Sequence, residues 1–354
     1  MLDRSLGLCR DRNEAELMRR LKQIAAAVLV LCFSGALFEQ IGRHRDRTRF
    51  EQMGRSVSIG GRTLNIFCSG QGAPVVVFDT AAHQSGYAWS SVQREVAKHT
   101  RACWYDRAGY GWSQPGPLPR TFQAVASDLH SLLREARVDP PFVLVGPRDA
   151  ASTIRVYYRS YPGEVAAAVF VNGNDVDDPS VKIPDSAKGG FVKTFGSWAA
   201  PVRRIACWVR PSLNRLGVTR FATLFGKPRN TDSLDLTAEQ QAQLNDLSDN
   251  ATATQAGEAC TREEGMQQVR AAGNLKDVPL VVLVSGAGQM MTAPHDQVEA
   301  AFKKYRFERV PRALSSLSTR GRVVLIDGEL TKDAVVRAIL DILGVAATAQ
   351  GGTK

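Results

Sequence analysis

Apolar positions along the chain follow two periods, and the switch between them marks the elements. After residue 54, "RSVSIGGRTLNIFCSG" alternates apolar and polar residues on both sides of Gly60-Gly61, which predicts a hairpin with one strand to Ile59 and a second through Phe67. Six short β-rich runs follow: "PVVVFD" at 74–79, "TRACWYD" at 100–106, "FVLVG" at 142–146, "AAAVFVNG" at 166–173, "PLVVLVSG" at 279–286 and "RVVLID" at 322–327. Between the earlier runs, "AWSSVQREVAKH", "FQAVASDLHSLLREAR" and "STIRVYYRSYP" repeat their apolar residues at helical spacing. Strand and helix in alternation predict an α/β fold, a mostly parallel eight-stranded sheet with helices on both faces.

From Val176 to Asn274 the alternation stops and the chain becomes polar and helix-prone, most clearly in "TAEQQAQLNDL" and "TREEGMQQVRAAG". An insertion there, after a strand's carboxyl end, predicts a helical cap over the edge where open α/β sheets bind ligands. The expected division is an N-terminal segment 1–22, a transmembrane helix 23–42, a linker 43–54, a core of 55–174 and 275–345, a cap 175–274 and a flexible tail 346–354.

Gln23–Phe38, "QIAAAVLVLCFSGALF", carries no charge and is flanked by Arg19, Arg20 and Lys22 before it and by Arg43, Arg45, Arg47 and Arg49 after it. Sixteen helical residues rise roughly 24 Å, and snorkelling Lys22 with extension through Ile41 brings the segment towards a ~30 Å hydrocarbon core. A cleaved signal peptide, with small residues at Ser34–Ala36, is the competing reading. Asn13 and Glu16 are spaced as a capping box, so "NEAELMRRLK" reads as a helix start and favours a retained, single-pass anchor. The folded part is then expected in the periplasm or outside the cell, although basic residues on both flanks leave the orientation open.

The net charge of +10 on 354 residues is scattered and not interleaved with aromatics, which argues against nucleic acid and for a solvated or membrane-facing surface. None of the six cysteines pairs at zinc-ligand spacing, so neither a metal nor any other cofactor is expected. Cys68, Cys103, Cys207 and Cys260 lie in the folded part, where two disulfides and four thiols are both open.

"GGRTLNIFCSGQGAPVVVFDT", "SSVQREVAKHTRACWYDRAGYGWSQPGPLPRT", "DLHSLLREARVDPPFVLVGP" and "YPGEVAAAVFVNG" together resemble, in order and spacing, the α/β-hydrolase fold family, most closely its membrane-anchored bacterial members. The resemblance covers most of 55–345 outside the cap, with "YDRAGYGWS" its most specific piece. It implies a G-x-S-x-G nucleophile elbow at Gly146, Pro147, Arg148, Asp149 and Ala150, with Arg148 in the serine's place. A guanidinium stays protonated and cannot act as the acyl-accepting nucleophile. A register shifted by one residue would put the carboxylate of Asp149 there instead.

The family's acid slot is taken by Asn172, which cannot stabilise an imidazolium by charge. Its histidine slot falls in a shortened segment near Glu329, with no histidine after Asp296. Of the five histidines, His44 lies in the basic flank. His99 and His130 are expected at the surface, His295 beside Asp296 in a loop, and His83 in the loop that supplies half the oxyanion hole. There Ala81 and Ala82 stand for expected glycines. The resemblance also places Cys68 beside Cys103 on neighbouring strands, predicting a disulfide or close thiol pair, and Cys207 with Cys260 in the cap, where a bond would clamp its helices.

The combined expectation is a catalytically impaired, membrane-tethered protein, a binding or assembly subunit that could join a protein complex. Arg148, Asp149 and His83 would form an anion or lipid site at the helix start, unless Arg148 pairs with Asp149 or a cap carboxylate and plugs the old pocket. The alternative is an esterase-like hydrolase with a relocated nucleophile such as Asp149.

Overall fold

The computed structural model describes residues 2–49, 51–82, 84–173, 213, 216–223, 237, 252–286 and 297–345. Its first element is one continuous helix, α1 (Leu2–Arg49). The helix therefore neither begins near Asn13 nor ends at residue 42. Ala, Leu, Arg and Glu dominate the segment and no proline interrupts it, so propensity carries the helix through both expected boundaries. Glu16, expected in a capping box, instead pairs with Arg20 one turn on at 2.7 Å. Within α1, Met18–Gly42 is long and apolar enough to cross a membrane.

The sheet has eight strands in the order β1-β2-β4-β3-β5-β6-β7-β8. They are β1 (Arg55–Ser58), β2 (Thr63–Ser69), β3 (Val75–Phe78), β4 (Ala102–Tyr105), β5 (Phe142–Pro147), β6 (Val165–Val171), β7 (Leu280–Ser285) and β8 (Gly321–Ile326). β1 and β2 run antiparallel at one edge, and all pairings from β4 to β8 are parallel. Gly60 and Gly61 turn the β1–β2 hairpin with φ of 88° and 84°, left-handed values that favour glycine at both places. On β2 and β4, Cys68 lies opposite Cys103, and the two form a disulfide. Cys260 is disulfide-bonded too, while Cys207, expected as its partner, is outside the described residues.

Alternate strand residues enter two apolar layers. Val77, Leu144, Phe170 and Val282 face one, and Val76, Val145, Val169 and Val281 the other. The first layer is closed by α3 (Phe122–Glu135) and α4 (Ala150–Ser160), through Leu129, Leu132, Ile154 and Tyr157. The second is closed by α2 (Ser90–Val96) and the last helix of the chain, through Val92, Val96, Val335 and Ile339. Both faces of the parallel strands are thus covered, as continuous apolar runs require.

Part of the expected cap is described. It comprises α5 (Val218–Thr223), α6 (Thr252–Cys260) and α7 (Arg262–Ala272); the helix expected over "TAEQQAQLNDL" lies outside the described residues except for Thr237. α7 packs on the core: Val269 joins the first layer, and Arg155 of α4 donates to the carbonyls of Val269 and Gly273. Beyond β7 follow α8 (Gln297–Lys304) and α9 (Val310–Ser315), and after β8 comes α10 (Lys332–Ile342), capped by the Thr331 hydroxyl.

Candidate functional site

The parallel strands end at one edge of the sheet, and the residues that follow them build the site: Asp79 after β3, Asp106 after β4, Arg148 after β5 and Asn172 after β6. The turn from β5 into α4 is tight. A Cβ on Gly146 would lie 2.5 Å from the Cβ of Ala150, so both positions need small residues. Arg148 takes φ of 49°, a left-handed conformation that costs a non-glycine residue about 1–2 kcal/mol, and its N–H donates to Val171 O at 3.0 Å. Asp149 is already right-handed, with φ −72°. The strained elbow position is therefore Arg148, and the register that would place Asp149 there does not occur.

Asp149 caps the start of α4 through its carbonyl, which accepts from the Ser152 N–H. Its carboxylate points back to the β3–α2 loop and accepts from the Ala82 N–H at 3.1 and 3.3 Å. This is the loop to which the resemblance assigns half of the oxyanion hole, so a backbone donor there is already committed to a carboxylate. Asp149 also takes Arg107 Nη1 at 3.2 Å. Asp149 thus pairs with Arg107, which reaches it from beneath; the cap carboxylate that was the other expected partner of Arg148 falls in a cap described only in part. Arg148 itself is exposed and lines the cleft above.

Arg107 is the centre of a buried charge network. It forks onto Asp79, with Nε to Oδ1 and Nη2 to Oδ2 both 2.8 Å, and donates to Thr153 Oγ1 at 3.3 Å. Asp79 also accepts from the Tyr105 hydroxyl at 2.6 Å and the Thr80 N–H at 2.8 Å. Burial works against the charge on Arg107, but the adjacent Asp79, with Asp149 adding to it, outweighs burial and raises the pKa well above the ordinary arginine value. Burial and Asp79 likewise raise the Tyr105 phenol, which stays a donor. Neighbouring Asp106 is fully buried and receives Ser85 Oγ, Asn65 Nδ2 and the N–H groups of Gly86 and Trp112. The "YDRAGYGWS" segment therefore fastens the loops around the elbow.

A cleft of about 310 Å³ opens between the elbow, the start of α3 and α6–α7. Arg107, Arg120, Arg148 and Arg262 reach it, against Asp149 and Glu258. Arg120 is held by Asp128 at 2.8 Å, and Asp128 also pairs with Arg62. Glu258 accepts from the Tyr110 hydroxyl at 2.6 Å, while its Oε1 is buried without a hydrogen-bond partner. Burial foremost, with Asp149 adding, raises its pKa against the opposing pull of Arg107, Tyr110 and Arg120.

A raised folded-state pKa means that the folded chain binds the proton more tightly than the unfolded chain. Glu258 therefore removes stability as pH rises from the unfolded value, about 4.3, through the folded one. In urea unfolding across pH 4 to 8, Glu258→Gln is expected to gain stability relative to wild type as pH rises and then to level off. A difference independent of pH would show that Glu258 ionises normally.

The other expected positions separate from this cluster. Asn172, with φ of 48°, binds Ser285 through both ends of its amide, Nδ2 to Oγ and Oδ1 from the Ser285 N–H, each at 2.9 Å. It ties β6 to β7, and no histidine among the described residues is bound to it. Glu329 is exposed in the loop after β8 and does not line the cleft. His83, His295 and Asp296 lie outside the described residues, and none of His44, His99 and His130 lines the cleft. His130, expected at the surface, is half-buried: it stacks on Tyr161 with centroids 3.7 Å apart and contacts Glu164 at 3.2 Å. Sequence reading missed Asp79, Arg107, Tyr110 and Glu258. The available signal was an aspartate closing an apolar strand in "VVVFD" and an arginine inside the specific "YDRAGYGWS".

No protein-family model matches the chain. An uncharacterized protein of Bacillus subtilis is 23% identical over 152 residues, 42% of this chain and 46% of its own length. An uncharacterized vacuolar membrane protein of Saccharomyces cerevisiae is 34% identical over 77 residues, 21% of this chain and 12% of its own. The chain thus spans less than half the length of these curated relatives. Solved structures match far more of it. A putative lipase from Acinetobacter baumannii aligns over 88% of this chain and 97% of its own, with TM-score 0.56 and 14% identity. An epoxide hydrolase from Vigna radiata aligns over 82% and 97%, with TM-score 0.56 and 16% identity. At such identities the likeness concerns the fold alone, and with the eight-stranded sheet and its two helical layers it establishes that this chain has the α/β-hydrolase fold.

Proposed function

We propose that this chain is a catalytically impaired α/β-hydrolase-fold protein, tethered to a membrane by α1, which binds an anionic group at the former nucleophile elbow. The observation that carries the reading is the exchange of roles at the elbow. A permanently charged Arg148 stands at the strained position, and the Ala82 N–H of the oxyanion loop already serves the carboxylate of Asp149. A proton relay has no counterpart among the described residues, since Asn172 is spent on Ser285 and no described histidine reaches the cleft. What remains is a concave site with four guanidinium groups and the start of a helix, which suits a carboxylate or phosphate headgroup.

The alternative of Asp149 as nucleophile is weaker. Its carboxylate is bound by Ala82 and Arg107, which stabilise its negative charge and reduce its readiness to attack. The tether reading draws on the Met18–Gly42 span and agrees with the name of the yeast relative. The disulfides favour an oxidising compartment for the folded part, periplasmic or extracellular, with a single membrane crossing. The binding serves an assembly role in which a partner protein presents the anionic group. The test is a titration of the full chain in detergent with octanoate and inorganic phosphate, for wild type and Arg148→Ala, with ester hydrolysis followed in the same samples.

A further inference from the structure

The C-terminal part of the apolar span is not bare. A Cβ on Gly35 would lie 2.4 Å from Leu216 O, one on Gly42 would lie 2.5 Å from Arg220 Nε, and one on Gly217 would lie 2.9 Å from Gly35 O. Gly35 and Gly42 are seven residues apart and share one helix face with Glu39, so small side chains let the cap backbone close onto the helix. Glu39 is buried and accepts Arg220 Nε at 3.0 Å. A carboxylate inside a membrane span is costly without a partner, and this one receives its partner from the cap. The contact covers about 10 Å of helix length, at 1.5 Å per residue from Gly35 to Gly42.

The surroundings of this contact are apolar and open. On the helix, Leu37, Phe38 and Ile41 are exposed; on the cap side, so are Leu213, Val218 and Phe221, the last at 59%. Immediately beyond the span the sequence continues with Arg43, Arg45, Arg47 and Arg49, a basic flank of the kind that attracts anionic lipid surfaces.

We infer that the cap segment carrying α5 is a membrane-docking surface: fixed to the last two turns of the apolar span, it sets Val218 and Phe221, with Leu213, into the headgroup and acyl boundary of the bilayer that α1 crosses. The occupant follows from continuity. If Gly35–Gly42 lies in the lipid, a segment packed against those residues sits at the same depth, and interfacial apolar residues are buried by roughly 5–10 Å at that level. The folded domain is then held against the membrane with the cap as its foot and does not swing on a loose tether.

This inference rests on the membrane tether proposed above, and the test separates the two. In the full chain with Cys9→Ser and Cys32→Ser, single cysteines replace Leu31, Val218, Phe221 or Leu325 and carry an environment-sensitive fluorophore. The protein is reconstituted in phosphatidylcholine–phosphatidylglycerol vesicles containing lipids spin-labelled at mid-chain or near the headgroup. Leu31 is exposed on the span, and Leu325 is exposed on β8, the edge strand of the sheet opposite β1. The expected result is quenching at 31 by mid-chain labels, and quenching at 218 and 221 by shallow labels several-fold above that at 325. Quenching at 31 alone, with 218 and 221 no different from 325, would overturn the docking and leave the tether. A blue shift at 218 and 221 without quenching would assign the surface to a protein contact and overturn it as well. Absence of quenching at 31 would remove the tether and the docking together.

Discussion

Arg107→Ala is expected to lower the unfolding free energy of the full chain by about 3–5 kcal/mol, the usual effect of deleting one member of a buried ion pair. Arg107 and Asp79 have side chains only 2% exposed. Without the guanidinium, Asp79 keeps only the Tyr105 hydroxyl and the Thr80 N–H, and it has no counter-charge. Asp149 would lose its ion pair at the same time. The effect is read as a lower urea midpoint with an unchanged slope, which marks a change in stability and not in the surface exposed. Most of the penalty comes from stranding a charge, so the double variant Arg107→Met with Asp79→Leu is expected to recover much of it. A single variant within about 0.5 kcal/mol of wild type would show the network to be dispensable.

The second large effect is expected at the Cys68–Cys103 disulfide. It joins the antiparallel β2 to β4 and closes a loop with a sequence separation of 35. Loop-closure entropy for that length gives about 4 kcal/mol of stabilisation on a chain-entropy account. The double variant Cys68→Ala with Cys103→Ala should therefore unfold at markedly lower urea than the oxidised wild type. Reductant should lower the wild type by more than the variant, which keeps the disulfide of Cys260. Equal midpoints under oxidising conditions would mean that the β2–β4 pairing needs no covalent support.

These two features differ in how visible they were in the sequence. Strands such as "PVVVFD" and "PLVVLVSG" were legible because a buried parallel strand needs an unbroken apolar run, and no competing helical period fits them. The elbow register came from the resemblance to G-x-S-x-G, and in the structure Gly146 and Ala150 are crowded enough to need small side chains. The cysteine pair was legible only through the family resemblance, which places β2 beside β4. Helix α1 was read too short because its boundaries were sought in charge changes, whereas helix propensity continues smoothly through Arg43–Arg49.

The charge network was not legible. Arg107 and Asp149 are separated by 42 positions, and Tyr110 and Glu258 by 148. Local periodicity carries no information on which distant side chains the fold will bury together. Of the two partners expected for Arg148, Asp149 is taken by Arg107, which approaches from the core, and a cap carboxylate falls where most of the cap lies outside the described residues. Among the described residues, Arg148 is an exposed arginine above a buried ion cluster.

The central claim is that this exposed arginine gives the elbow a binding role in place of a catalytic one. The most direct measurement is the octanoate titration of wild type and Arg148→Ala, read by thermal shift. The expected result is saturable stabilisation of the wild type, weakened about 10- to 100-fold in Arg148→Ala, as for the loss of a charge-assisted hydrogen bond, with no ester turnover in either. Equal binding by both proteins, or ester hydrolysis abolished by Asp149→Ala, would contradict it.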